Sequence, residues 1–278
     1  MVMRKLTKRD QTTRLKALQE LLDLVKEKDV DLVKGALPFW PRLYNKLSLD
    51  NDRRVREATH RVHEQICQRV RRDLAPHTKA LIGAWLVSQS DPFAPAATAA
   101  RAAFEAAFSS EKQIQVFQFF SQELFNYISD VILQQTIDTV PDSKELSQEE
   151  RETKYHRWLS SALLGLKMIL EYLSPLPESG VESLDSILKE SKFWKMAKHK
   201  EIMVRKSWYS LASSLSRVDH VCKTYGAKLC SHTLGSLAEN DPVVAVPIWE
   251  AALSVVSAVQ SSTNRVTRGN EDEKSEEH

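Results

Sequence analysis

The sequence predicts an all-α fold, a solenoid of stacked helix pairs, on three observations. Glycine is sparse, seven in 278 residues, and β-branched alternation is scarce, so sheet is disfavoured. Apolar residues recur every three to four positions through most of the chain, the period of one buried helical stripe. Helix starts marked by an acidic residue return roughly every 40 residues, the spacing of a repeated helix pair, with one gap of about 110 between Asp91 and Glu201 that leaves room for a longer or irregular pair.

At the N-terminus Leu15, Leu18, Leu21, Leu22 and Val25 line one helix face, and Asp10, Thr12 and Thr13 offer capping oxygens before it. From Val30 to Leu47, Gly35 and Pro38-Phe39-Trp40-Pro41 predict a short helix that stops before a second begins near Pro41. Phe39 and Trp40 read as core plugs, because aromatic rings bury so much area. Asp50, Asn51 and Asp52 then cap a helix reaching Arg72, with Val55, Ala58, Val62, Ile66 and Val70 as its stripe. Leu81, Ile82, Trp85 and Leu86 repeat the stripe over 75–89, and Asp91-Pro92 restarts it with Ala94, Ala97 and Ala100.

Between Ser109 and Gln135 lies one aromatic-rich helix, nearly apolar all round and expected to be buried. The polar stretch 136–152 reads as a surface loop. Trp158, Leu159, Ala162, Leu163, Leu166, Ile169 and Leu170 face a long helix ended by Ser174-Pro175-Leu176-Pro177. A short helix running into Lys192-Phe193-Trp194-Lys195 precedes a repeat helix over 202–216, and 221–235 with 241–260 form a last pair. The solenoid thus covers 1–260. The tail 261–278 is polar, then acidic, and is expected to be disordered. With no polar capping repeat in view, the array is read as a fragment of a longer one.

Net charge is +2, yet Met1 to Ala80 holds about 19 Lys and Arg against about 11 Asp and Glu, leaving the remainder acidic. The basic end is the one expected to meet an anionic partner. The apolar runs near 94–108 and 161–173 are too short or too interrupted to span a bilayer, so no membrane is expected. Cys67, Cys222 and Cys230 are an odd, irregular set, which fits a reducing compartment better than a disulfide framework. His60, His63 and Cys67 share a helix flank, and His220-x-Cys222 mirrors Cys230-x-His232. Neither has the spacing of a structural zinc site, so surface imidazoles and buried thiols are the ordinary reading. No serine sits on a glycine-flanked elbow, so no catalytic residue, metal or cofactor is assigned to this chain.

Lining up the helix starts shows Asp10 before Arg14, Asp52 before Val55-Arg56, Glu201 before Val204-Arg205, and Asp241-Pro242 before Val244. An acid, then Val-Arg, then a small residue on the helix face resembles the second helix of a HEAT repeat. In that pattern the acid caps the helix and the arginine reaches the previous unit's acid. Asp52, Arg56, Arg205 and Asp241 are therefore expected to form a structural ladder. Lys5, Lys8, Arg9, Arg14 and Lys16, with Arg53, Arg54 and Arg61, are the expected partner-binding cations.

Long segments carry a closer resemblance: LTKRDQTTRLKALQEL at 6–21, VKGALPFWPRLYNKLSLDNDRRVREAT at 33–59, LAPHTKALIGAWLVSQSDPFAPAATAARAAFEAAF at 74–108, KFWKMAKHKEIMVR at 192–205 and DPVVAVPIWEA at 241–251. Together these resemble the N-terminal region of the listerin family, RING-type E3 ubiquitin ligases of ribosome-associated quality control. The family usually has a polar leader where this chain reads Met1-Val2-Met3-Arg4-Lys5. The resemblance implies a cytosolic, monomeric module that docks on large ribosomal subunits, through rRNA and ribosomal protein, beside the NEMF-type nascent-chain-binding cofactor. It further implies a zinc-binding RING domain that recruits the E2 ubiquitin-conjugating enzyme, absent from this sequence. A free-standing HEAT adaptor or transport scaffold unrelated to translation is the alternative.

Overall fold

The computed structural model describes residues 2–239 and 241–276, with side chains described as far as Ser261. Every regular element among the described residues is helical. The chain divides into two compact units, Met1–Gly165 and Leu166–His278.

The first unit opens with α1 (Val2–Lys5), α2 (Gln11–Glu27), α3 (Val30–Ala36), α4 (Trp40–Leu47) and α5 (Arg53–Val70). It continues through α6 (Ala75–Ser88), α7 (Ala94–Ala107), α8 (Ser110–Phe119) and α9 (Ser121–Ser129), and holds the first part of α10 (Gln148–Tyr172). Helices α2, α5 and α7 lie side by side as one layer, while α4, α6 and α9 form the second. Caps fix the first layer: Asp10 accepts from the Thr13 amide at 2.7 Å, and Asp52 accepts from the Arg54 amide at 2.8 Å. Val55, Val62, Ile66 and Val70 are buried on α5, with Ile66 beside Leu21, Val25 and Val33 of α2 and α3, and Ala96, Ala97, Ala100 and Ala103 are buried on α7, which packs along α5. Small side chains let those two helices run close. In the second layer Gly83 serves the same end, for a Cβ there would lie 2.6 Å from the Tyr127 Cβ.

Two expectations change here. The aromatic stretch 109–135 is not one buried helix but α8, α9 and a π-helical turn at Asp130–Gln134. Phe117, Leu124, Phe125 and Ile128 take the core stripe, so their neighbour Phe119 is turned out, 79% exposed. The polar loop 136–152 also ends early, because Ser147 and Glu150 close a capping box. The Glu150 carboxylate accepts from the Ser147 amide at 2.8 Å and the Ser147 hydroxyl accepts from the Glu150 amide at 3.2 Å, starting α10 at Gln148.

The second unit comprises the rest of α10 with α11 (Glu178–Leu188), α12 (Ser191–Lys195), α13 (Ile202–Leu215), α14 (Asp219–Leu234) and α15 (Pro242–Glu276). Both α13 and α14 pack on α15. Its core is aromatic: Phe193, Trp194, Trp208 and Tyr209 are buried together, with Trp194 donating to the Leu188 carbonyl at 2.7 Å and Tyr209 to the Ala197 carbonyl at 3.1 Å. Along α15, Val244, Ile248, Ala251, Ala252 and Val255 are buried, whereas Val243, Val246, Trp249 and Leu253 are exposed. The segment Pro242–Ser261, mean hydropathy 1.8, is long and apolar enough to cross a membrane by length and composition, a test the core helix of a soluble protein also passes. That corrects the expectation that no stretch reaches this length: Glu250 alone among charged residues interrupts it. The backbone of α15 continues to Glu276; the side chains of the tail beyond Ser261, expected to be disordered over 261–278, lie outside the described residues.

Candidate docking surface

Three arginines repeat one geometry. Arg14 donates from Nη1 to the Lys8 carbonyl at 2.8 Å and to the Arg9 carbonyl, while Nη2 donates to Asp50 at 2.9 Å. Arg56 donates from Nη1 to the Asp50 and Asn51 carbonyls at 2.9 and 3.2 Å, and grips Asp91 through Nε and Nη2 at 2.6 and 3.0 Å. Arg205 donates to the His199 and Lys200 carbonyls at 2.8 and 3.1 Å and pairs with Glu239 at 3.4 Å. Each arginine thus ties down the turn that enters its own helix and the acid that opens a later one. The acids are held in turn: Asp50, Asp91 and Glu239 accept from the amides of Asp52, Phe93 and Asp241 at 2.9, 2.8 and 3.1 Å.

The rungs therefore run forward along the chain, where the sequence pattern suggested a reach to the previous unit. Two acids expected in the ladder are caps instead: Asp52 caps α5 and pairs with Arg54, and Asp241 accepts from the Val243 amide at 2.9 Å. The rung acids stand two residues upstream, at Asp50 and Glu239. At α5 the Asp52 carboxylate is taken up by the amide and guanidinium of Arg54, and the carboxylate that Arg14 reaches is Asp50.

The cations expected at a partner surface divide in the same way. Arg14 belongs to the ladder. Lys5 pairs with Glu20 at 2.9 Å, Arg54 with Asp52 at 2.9 Å and Arg61 with Glu57 at 2.7 Å. Arg9 donates to the Glu145 carbonyl at 3.3 Å, and Arg53 lies 4.9 Å from the centroid of the Phe93 ring. Lys8 and Lys16 are exposed and extend to solvent. Near Lys8 and Arg9 a polar cavity of about 330 Å³ mixes these cations with Asp10, Asp52, Asp142 and Glu150, so the charge there is largely balanced.

Two buried cations gave no signal in the sequence. Arg157 on α10 donates to the Leu49 and Asp50 carbonyls, both at 3.0 Å, and burial beside Arg56 lowers its pKa to about 10. Lys154 donates to the Pro141 carbonyl at 2.9 Å, and burial brings it down to about 8. An amphipathic reading of 155–173 begins one residue after Lys154 and counts Arg157 as solvated. The carbonyls that Arg157 satisfies lie about a hundred residues away, beyond any local pattern, and the one that Lys154 satisfies is 13 residues upstream, in the stretch read as a surface loop.

His60 and His63 are fully buried, not surface imidazoles as expected. Residues of the second layer cover this face of α5. Trp40 Nε1 donates to His63 Nδ1 at 3.0 Å, the Tyr44 hydroxyl lies 3.1 Å from His60 Nδ1, and Trp85 meets His63 edge-on at 4.2 Å. Burial lowers His60 to about 4 and His63 to about 3, and raises the Cys67 thiol. In the second unit His220 is 2.9 Å from Asp185 and Cys222 donates to the Ser216 carbonyl at 2.9 Å. Among the described residues, no three His, Cys, Asp or Glu side chains converge as a metal site.

Paired helices tied by repeated arginine rungs define an α-solenoid of the HEAT and armadillo class. The chain belongs to the listerin family: the model of the N-terminal domain of E3 ubiquitin-protein ligase listerin matches residues 1–273. It is 42% identical to the listerin of Gallus gallus over 271 residues, 96% of this chain and 15% of that protein. Identity is 42% to the Mus musculus listerin over 94% of this chain and 32% to that of Drosophila melanogaster over 92%, in each case 15% of the relative's length. The chain therefore spans about 15% of the listerins it matches. Among solved structures, a designed armadillo repeat protein aligns over 91% of this chain and 98% of its own, at TM-score 0.41 and 12% identity.

Proposed function

We propose that this chain is the docking module of a RING-type E3 ubiquitin ligase, the part that binds large ribosomal subunits carrying stalled nascent chains. Ubiquitination of those chains for proteasomal degradation, with its zinc-binding RING and E2 enzyme, belongs in this reading to the rest of the protein. The observation that supports it is the match to the listerin N-terminal domain across residues 1–273. The module works in the cytosol beside the NEMF-type cofactor. Its rungs hold the helices in register, and the cations left outside the rungs, Lys8 and Lys16 first, contribute long-range attraction to rRNA.

Co-sedimentation of the purified chain with large subunits, with and without the cofactor and across a salt series, tests the proposal. The expected result is pelleting that weakens steeply as salt rises. No pelleting even at low salt with the cofactor present would favour a free-standing helical scaffold instead.

A further inference from the structure

Phe39 does not plug the core. Its neighbours Leu37 and Trp40 are buried, and the Trp40 indole is tied to His63, so the turn between α3 and α4 sends the Phe39 ring outward, 66% exposed. The ring lines an open groove of about 870 Å³ together with Arg4, Arg42, Leu43 and Lys46, and no Asp or Glu lines it. Lys46 pairs with Asp142 at 2.9 Å. Arg4 and Arg42 are exposed, and neither forms an ion pair among the described residues. Pro38 and Pro41 flank the turn, restricting the backbone that carries the ring. The surroundings of Arg9 are different, since carboxylates offset the cations there.

We infer that this groove binds an unstacked nucleotide of single-stranded or looped RNA, the base on the Phe39 ring and the flanking phosphates on Arg4 and Arg42. Each nucleotide offers a flat π-face beside a negative charge, which is the pairing the groove presents. An acidic peptide would engage the guanidinium groups and leave the ring uncovered. The inference deepens the docking reading and rests on it for RNA as the partner encountered in the cell.

The test is fluorescence anisotropy of the 278-residue chain with a labelled ten-nucleotide single-stranded RNA, and separately with a labelled polyglutamate decapeptide. Phe39→Ala should weaken RNA binding about tenfold while leaving its salt dependence unchanged, and Phe39→Trp should retain it. Arg42→Gln should lower the slope of log K against log salt by about 0.7, one lost phosphate contact on a single strand. Both side chains replaced are exposed, so circular dichroism and Tm should match wild type. The inference is overturned if Phe39→Ala binds RNA as wild type does, or if the peptide binds and the RNA does not. A wild-type chain that pellets with large subunits but ignores the oligonucleotide sinks this inference alone. Phe39-dependent RNA binding without subunit pelleting sinks the docking reading and leaves the groove.

Discussion

Arg56 and Asp91 are joined by two parallel hydrogen bonds while the two side chains keep only 4% and 6% of their exposure. A charge pair so removed from water is held by its geometry, and its loss leaves the partner charge buried alone. Arg56→Ala should therefore cost about 3–5 kcal/mol of stability, read by urea unfolding. Replacing both partners, Arg56→Met with Asp91→Leu, should cost less than the sum of the single changes. Recovery should stay incomplete, since Arg56 also satisfies the Asp50 and Asn51 carbonyls and Asp91 the Phe93 amide. A single-mutant cost below about 1 kcal/mol, the scale of a surface pair, would show that the rung is not structural.

Gly83 lets α6 and α9 touch. Gly83→Ala would place a methyl group against the Tyr127 ring, which is itself pinned by Trp158 Nε1 at 3.1 Å. Overpacking of this kind costs about 1–3 kcal/mol, despite the better helix propensity of alanine. Differential scanning calorimetry should show a lower Tm, and Tyr127→Ala added to the Gly83→Ala variant should cost less than Tyr127→Ala alone. An alanine variant as stable as wild type would mean the two helices part easily.

The layered fold was legible because it is local: acids at helix starts, stripes such as Val55, Val62, Ile66 and Val70, and starts roughly one repeat apart. The choice between Asp50 and Asp52 was not. Both precede Arg56 by a turn or so, and only the three-dimensional path of the entry loop decides which carboxylate caps and which receives an arginine. Phe39 and Trp40 pose the same problem, since adjacent side chains on a turn point different ways and composition does not say which goes in. His60 and His63 looked like solvated polar positions until the second layer, separated from α5 in sequence, covered them. The capping box at Ser147 and Glu150 is different. Its spacing stood in the sequence but was hidden by a stretch otherwise read as polar loop.

Acid should weaken the first unit through its histidines. Free imidazoles titrate near 6.5, whereas His60 and His63 take a proton only near about 4 and about 3 when buried. Between those values the unfolded chain binds more protons than the folded one, so stability rises with pH and is lost as pH falls below about 6.5. Each histidine contributes up to about 1.4 kcal/mol per pH unit in the steep part of that window. Chemical denaturation at pH 7.5, 6.0 and 5.0 should show the decline, and His60→Gln should flatten it by about half. A stability independent of pH across this range would mean that both imidazoles reach solvent.

Structural and docking cations should fail differently. Arg14 is part of a rung, with Asp50 buried beneath it, so Arg14→Ala should lower Tm and alter subunit binding only as far as the fold is lost. Lys8 and Lys16 are exposed, so Lys8→Glu with Lys16→Glu should leave Tm within about a degree or two of wild type, as surface changes generally do. If these lysines attract the phosphate backbone of rRNA, the same double variant should pellet less with large subunits, most visibly at low salt where screening is weak. Reversing the charge also adds repulsion, so the deficit should exceed that of Lys8→Gln with Lys16→Gln. Equal pelleting of all three proteins at low salt would remove the lysines from the docking surface and leave the Phe39 groove to account for any salt-dependent binding.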